Sequence, residues 1–242
     1  MTRFILVSLR FTATLVFVMG SASLPSSSVA RAHGLIYRLP QDGVSAQYEL
    51  QSTTRLGTKV TGSLTMSSVG SSEYDSRPCR WIEVVWRTQT DLGGGSAVAF
   101  KLLIPEKQLQ LGGSPFENIV KGYVKVGKGD ARELAADDEL GPLPFFLSGP
   151  IMMTSKLEPK AIDCALGSVQ CSGVKGMTEI KRGNEPSRVA FETRLHDRAP
   201  FGVVSCRMRI ADGDEDRAES IHLRLTKVGA NAKSVLPDVG DE

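Results

Sequence analysis

The chain is short of the signatures on which much enzyme chemistry rests. No G-x-S-x-G elbow, G-x-x-x-x-G-K-[ST] phosphate loop, G-x-G-x-x-G dinucleotide turn or H-E-x-x-H zinc helix occurs in it. Their absence excludes the hydrolases, nucleotide-binding proteins and metalloproteases that depend on those arrangements. Ser114 follows Gly112 by two residues, but Phe116 stands where an elbow needs its second glycine. Histidine is scarce, with three in 242 residues. His196 falls in a connection between strands. His222 shares a strand face with Arg224 and Thr226, which reads as an exposed position. No C-x-x-C pair or Cys/His cluster has metal-ligand spacing, and no cofactor is implied. No apolar run approaches the roughly twenty residues of a membrane-spanning helix.

What is present begins at the N-terminal end. Arg3 and Arg10 flank the start of an apolar run from Phe11 to Met19, and small residues follow. They offer cuts after Ser21-Ala22-Ser23, Ser28-Val29-Ala30 or Ala30-Arg31-Ala32. Residues 1–32 therefore read as a removable export signal, which places the protein in the periplasm, cell envelope or extracellular space. The last cut would leave His33 at the N-terminus. Cys79 is the first cysteine, so no lipid-modified N-terminal cysteine arises near these cuts.

The signal holds three of the 29 basic residues and no acidic one, leaving 26 basic against 27 acidic side chains in residues 33–242. A near-neutral domain has no overall electrostatic reason to bind nucleic acid or an anionic membrane. The remaining length suits one domain with a substantial core. All four cysteines, Cys79, Cys164, Cys171 and Cys206, follow the signal. In an oxidising compartment they are disulfide candidates with three pairings open. Cys164 and Cys171 could close a small loop, or a crosslink to Cys79 or Cys206 could tie that loop to a sheet. The alternative is free, buried thiols.

Period-two alternation dominates the chain and predicts antiparallel strands. Val44, Ala46, Tyr48 and Leu50 alternate with Ser45, Gln47, Glu49 and Gln51. After Leu56-Gly57 the pattern repeats over 59–67, making a hairpin. Residues 79–88 are partly apolar on both faces, which predicts a central strand or one covered on its second side. Gly93-Gly94-Gly95 turns into a strand at 97–104. Strands resume at 189–195, 204–210 and 221–225, the last two joined by a turn at Asp212-Gly213.

Residues 113–150 interrupt this pattern. Ser114-Pro115-Phe116-Glu117, closed by Gly122, predicts a helix of about two turns. The segment Leu140-Gly141-Pro142-Leu143-Pro144-Phe145-Phe146-Leu147 reads either as a lid or plug over the sheet or as loop packing at its edge. Residues 229–242 read as a flexible tail. Asp212, Asp214 and Asp216 have calcium-loop spacing, but Arg217 and Leu223 replace the glycine and glutamate such a loop needs, so a solvated turn explains them better.

Two resemblances bear on function. If His33-Gly34 opens the processed chain, it resembles the start of secreted lytic polysaccharide monooxygenases. That family folds as a β-sandwich and holds copper through an N-terminal histidine and a second histidine, here His196 or His222. The run of strands, with Phe191-Glu192-Thr193-Arg194-Leu195 leading through Ala199-Pro200-Phe201-Gly202-Val203-Val204, looks like uncharacterised exported bacterial proteins. It distantly resembles the LolA/LolB-like carriers, whose curved sheet wraps a hydrophobic cavity closed by helices. That resemblance implies a half-barrel over most of residues 35–228 and carries over no ligand-binding residue.

The expectation is therefore mainly β: one curved antiparallel sheet, half-barrel or barrel, over 33–228, with short helices from 113–150 packed against it. The function expected is a non-catalytic envelope protein that binds an apolar small molecule or an envelope protein partner, with Trp81, Phe100, Phe145 and Phe146 as the apolar lining. The alternatives are a structural or assembly protein and a copper-dependent oxidase using His33.

Overall fold

A computed structural model describes residues 31–32, 34–110, 113–135, 138, 143–147, 151–182, 185–211 and 218–236. Residues 1–30, which carry most of the expected signal, lie outside the described residues. So do His33 and the Asp212–Asp216 turn.

The strands are β1 (Arg31–Ala32), β2 (Ser45–Thr53), β3 (Lys59–Tyr74), β4 (Arg77–Thr90), β5 (Gly95–Pro105), β6 (Lys121–Val126) and β7 (Arg132–Glu133). After the short helix α1 (Leu143–Leu147) come β8 (Ile151–Cys164), β9 (Gly167–Arg182), β10 (Glu185–Leu195), β11 (Val203–Ala211) and β12 (Glu219–Gly229). They form one open, wholly antiparallel sheet in the order β1-β8-β9-β10-β11-β12-β2-β3-β4-β5-β6-β7. Two meanders, β2–β7 and β8–β12, are thus joined where the last strand pairs with β2, Gly229 opposite Ser45 and Leu223 opposite Leu50. The sheet curls but does not close. At one end the β8–β9 turn reaches back to β12, Ala165 N–H donating to the Leu225 carbonyl at 3.1 Å.

Alternation sets the faces. Ala46, Met66, Val84, Phe100 and Val124 stand in one cross-strand row and are all buried. Leu50, Leu223, Cys206 and Thr193 form another. Over this apolar face lie Leu35 and Ile36, Phe201 from the β10–β11 connection, and Leu143, Phe146 and Leu147 of α1, all buried. Each large side chain so buried contributes about 1.5–3 kcal/mol.

Among the described residues the helices expected to pack on the sheet are almost absent. Residues 116–118 make one 3₁₀ turn, and Ile119 is already extended at φ −67° and ψ 120°. The Ser114 side chain makes no cap bond. Its N–H donates to the Gln108 side chain, and Asn118 Nδ2 donates back to its carbonyl. The β-branched run from Ile119 feeds β6 instead, Val120 N–H donating to the Leu103 carbonyl at 2.9 Å. Strands β8 and β9 also occupy a stretch where the sequence suggested none.

The end of the chain, expected to be flexible, is anchored as far as Leu236. Residue Asn231 has φ 58°, reversing the chain after β12, and Ala232 N–H donates to the Gly43 carbonyl. The Glu83 carboxylate then accepts from Ser234 Oγ, from Val235 N–H at 2.9 Å and from Leu236 N–H at 3.3 Å. This cover lies over part of the second face of the first meander, at Glu83. Ser67, Glu83, Lys101 and Tyr123 stand in one row there, each less than 10 % exposed.

Candidate functional site

On the second meander the polar face stays open, and one end of the sheet folds over it. Strand β8 has irregular register with β9 between Leu157 and Lys160, where Pro159 has no N–H to give the ladder. Arg194 fixes this bend. Its side chain is 13 % exposed, and its guanidinium donates to the Glu158 carbonyl at 2.6 Å and stands 3.6 Å from Glu192. It lies over Gly173, where a Cβ would come within 3.1 Å of it. Beyond the bend, residues 160–163 wall one side of a cleft of about 240 Å³ whose other side is β10, β11 and β12.

Lys160, Asp163, Glu192, Arg194, Ser205, Arg207, His222 and Arg224 line this cleft. Register brings them together. Glu192, Arg207, His222 and Gln51 form one row across β10, β11, β12 and β2. Arg194, Ser205, Arg224 and Glu49 form the next. His222 also borders an open depression of about 520 Å³ with Lys175, Ala190, Arg207, Arg209 and Ser220, and a hollow of about 150 Å³ with Glu49, Gln51 and Arg224.

The charges are unevenly paired. Glu49 accepts from Arg224 at 2.8 Å, and that bond, with another from Gln51, holds its carboxyl below the usual range. Arg207 sits opposite Glu192, yet its side chain makes no ion pair or hydrogen bond with a described residue, and neither does that of Lys160. Burial, and then the positive charges of Arg207 and Arg224, push the His222 imidazole below its ordinary range, with Glu49 opposing. Four cationic side chains thus line the cleft against the two carboxylates of Asp163 and Glu192.

The aromatics expected to line one apolar cavity are divided. Phe100 and Phe146 belong to the core, Phe146 packing on Trp86 at 5.0 Å between ring centres. Trp81 lies on the second face, 6.0 Å from Tyr123 and under Lys101. The Phe145 side chain lies outside the described residues.

The expected disulfides are not formed: all four cysteines are thiols. Cys164 pairs with Gly167 and Lys160 with Cys171, so the two cysteines of the hairpin are four rungs apart, about 13 Å along the ladder, beyond the reach of a disulfide. Cys171 and Cys206 lie on strands separated by β10, and Cys79 lies on β4 in the other meander. Burial raises the Cys79 and Cys171 thiols and pushes Cys206 up to about 12, which suits inert packing groups.

His196 accepts from Arg198 N–H in the β10–β11 connection, while His222 is mid-strand on β12. Among the described residues, no three His, Cys, Asp or Glu side chains gather to hold a metal, and no helix is long and apolar enough to cross a membrane. Sequence reasoning placed His222 on an exposed face but missed its neighbours, because Arg207 and Glu192 reach it from other strands.

No family model matches the chain, and no curated protein matches it. Among the solved structures to which the chain is similar are the following two. One is a protein assigned as exported, with a YmcC-like fold, from Bacteroides fragilis. It is 10 % identical, over 80 % of this chain and 99 % of its own, with a TM-score of 0.35. The other is a beta-barrel-like protein of a domain of unknown function from Brucella abortus. It is 12 % identical, over 81 % of this chain and 100 % of its own, with a TM-score of 0.30.

Proposed function

We propose that this protein is an exported, non-catalytic binding protein that takes its ligand in the cleft between the distal half of β8 and strands β10–β12. The observation that carries this reading is the cleft itself, a half-enclosed space of about 240 Å³ where β8 is bent and held over a polar sheet face. A concavity into which polar groups converge from rigid strands is a setting for a binding site. An apolar ligand, the expectation drawn from Trp81, Phe100, Phe145 and Phe146, would have to open a core in which Phe146 keeps no accessible surface. The cleft needs no such opening.

Hydrogen exchange tests the reading. Protein purified from its own envelope is compared with the same protein after unfolding, dialysis and refolding. Slower exchange over 158–164, 192–194 and 205–207 in the envelope-purified sample is expected. Slowing confined to the first meander would overturn it.

A further inference from the structure

The cleft has more positive charge than its own acids use. Lys160, Arg194, Arg207 and Arg224 line it against Asp163 and Glu192. Arg194 is committed to the Glu158 carbonyl and to the neighbourhood of Glu192, and Arg224 to Glu49. Arg207 and Lys160 are left without an acceptor among the described residues, on opposite walls of the same space. An unpaired guanidinium has donors in a planar fork that matches an oxyanion, and a half-enclosed wall of protein strengthens the attraction over that at an open surface.

We propose that this cleft is an oxyanion site, in which Arg207 and Lys160 bind a phosphate- or sulfate-type group with His222 as a further donor. The proposal rests on the reading of the cleft as the binding site and names the chemistry of its occupant. The volume exceeds that of a bare oxyanion. The adjoining depression of about 520 Å³, floored in part by Ala190 and Ser220, gives room for the rest of a larger molecule. His222 gives independent support. Arg207 faces it from β11, Glu192 lies beyond on β10, Glu49 and Gln51 approach from β2, Arg224 shares its strand, and Lys160 and Asp163 stand across the cleft. In that company its protonation is disfavoured, and a bound anion would relieve the penalty.

The same phosphate chemistry is offered by a free small molecule and by a lipid headgroup. The chain's near-neutral total charge hides the clustering of cations on this one face, so an anionic surface is a real alternative source. Calorimetric titration with sodium sulfate at low ionic strength is the first arm, since sulfate keeps its charge between about pH 5.5 and 8. The second is flotation with vesicles of phosphatidylglycerol against vesicles of phosphatidylcholine alone.

Sulfate binding that Arg207→Gln weakens about tenfold and Lys160→Gln several-fold, while Lys128→Gln at a remote turn leaves it unchanged, is the expected result. Binding should also tighten several-fold from pH 8 to pH 5.5 in the unmodified protein and not in His222→Gln. Retention by phosphatidylglycerol vesicles that Arg207→Gln abolishes assigns the group to a lipid; sulfate binding without retention assigns it to a free molecule. Circular dichroism confirms that each variant is folded. Absence of sulfate binding together with equal behaviour on the two vesicles overturns the proposal, as does binding that Arg207→Gln leaves intact. Exchange slowed over the cleft by a copurified ligand, with no response to sulfate, would overturn the anion and leave the binding site standing.

Discussion

The two meanders share a core face and differ on the other. In β2–β7 the second face carries Glu83 and Lys101 in a row, and the end of the chain is laid across it, with Glu83 holding two backbone N–H groups and a hydroxyl. Glu83 and Lys101 are buried there, and Glu83 is spent on structure. In β8–β12 the equivalent face carries Glu192, Arg207 and His222 in a row, and among the described residues only the bent end of β8 reaches over it. Charge there is left in a cleft. The same alternation of apolar and polar residues thus produces a structural face in one half and an open one in the other. The difference is made by which segment of chain lies on top.

Five substitutions probe that contrast, and the largest effects test its premise of one shared core. Phe100→Ala in the first meander and Phe201→Ala over the second should each cost about 3–5 kcal/mol. Both tryptophans lie on β4, so their fluorescence follows the first meander while circular dichroism follows the whole sheet. The two signals should fall together in urea for each variant. Separate transitions would mean that the halves are independent units.

Glu83→Gln is next. Replacing a buried carboxylate that accepts three bonds should cost about 2–3 kcal/mol and expose residues 230–236 to proteolysis. An equally protected tail would show that other contacts hold the cover. Gly173→Ala strikes the other half. Its Cβ would come within 3.0 Å of Leu157 Cβ and 3.1 Å of Arg194, so about 1–2 kcal/mol should be lost and exchange over 158–164 should quicken as Arg194 leaves the Glu158 carbonyl. Unchanged exchange there would dissociate Arg194 from the bend.

The smallest effect is a titration. Arg207→Gln should raise the pKa of His222, read by the ring protons in NMR; a value unmoved would place Arg207 too far away to matter. The linkage has a definite sign. The folded pKa lies below the ordinary value of 6.5, so on acidification through that value the unfolded chain takes up the proton first, and stability falls. The variant should lose less stability than the parent over the same pH interval.

How much of this was legible in the sequence follows from how each strand is buried. Strands β2–β5 and β10–β12 bury one face, so Tyr48, Leu64, Val84 or Leu223 announce themselves by alternation. The second-side cover of β4 was also visible, in Trp81 and Val85. Strands β8 and β9 gave no such signal. Lys156-Leu157-Glu158-Pro159-Lys160 and Ser172-Gly173-Val174-Lys175-Gly176 are largely exposed or glycine-punctuated, and a wall over a cleft has little apolar surface to hide. The candidate site was hidden for a different reason: it is a row across strands, and register between distant strands is not written in local pattern. The cysteines misled because an even count in an exported chain says nothing about spacing in the sheet.

The pairing of Gly229 with Ser45 has a consequence for how such a chain can come together. Read from β8 through β12 and on from β2 to β7, the sheet is a plain up-and-down ribbon whose starting point has been moved to the middle. A polypeptide threaded through a membrane pore from its N-terminal end would deliver β2 early and its neighbour β12 last. The seam between them would stay open for the whole passage. Closing it brings together strands from opposite ends of the chain, the kind of distant contact that makes folding slow.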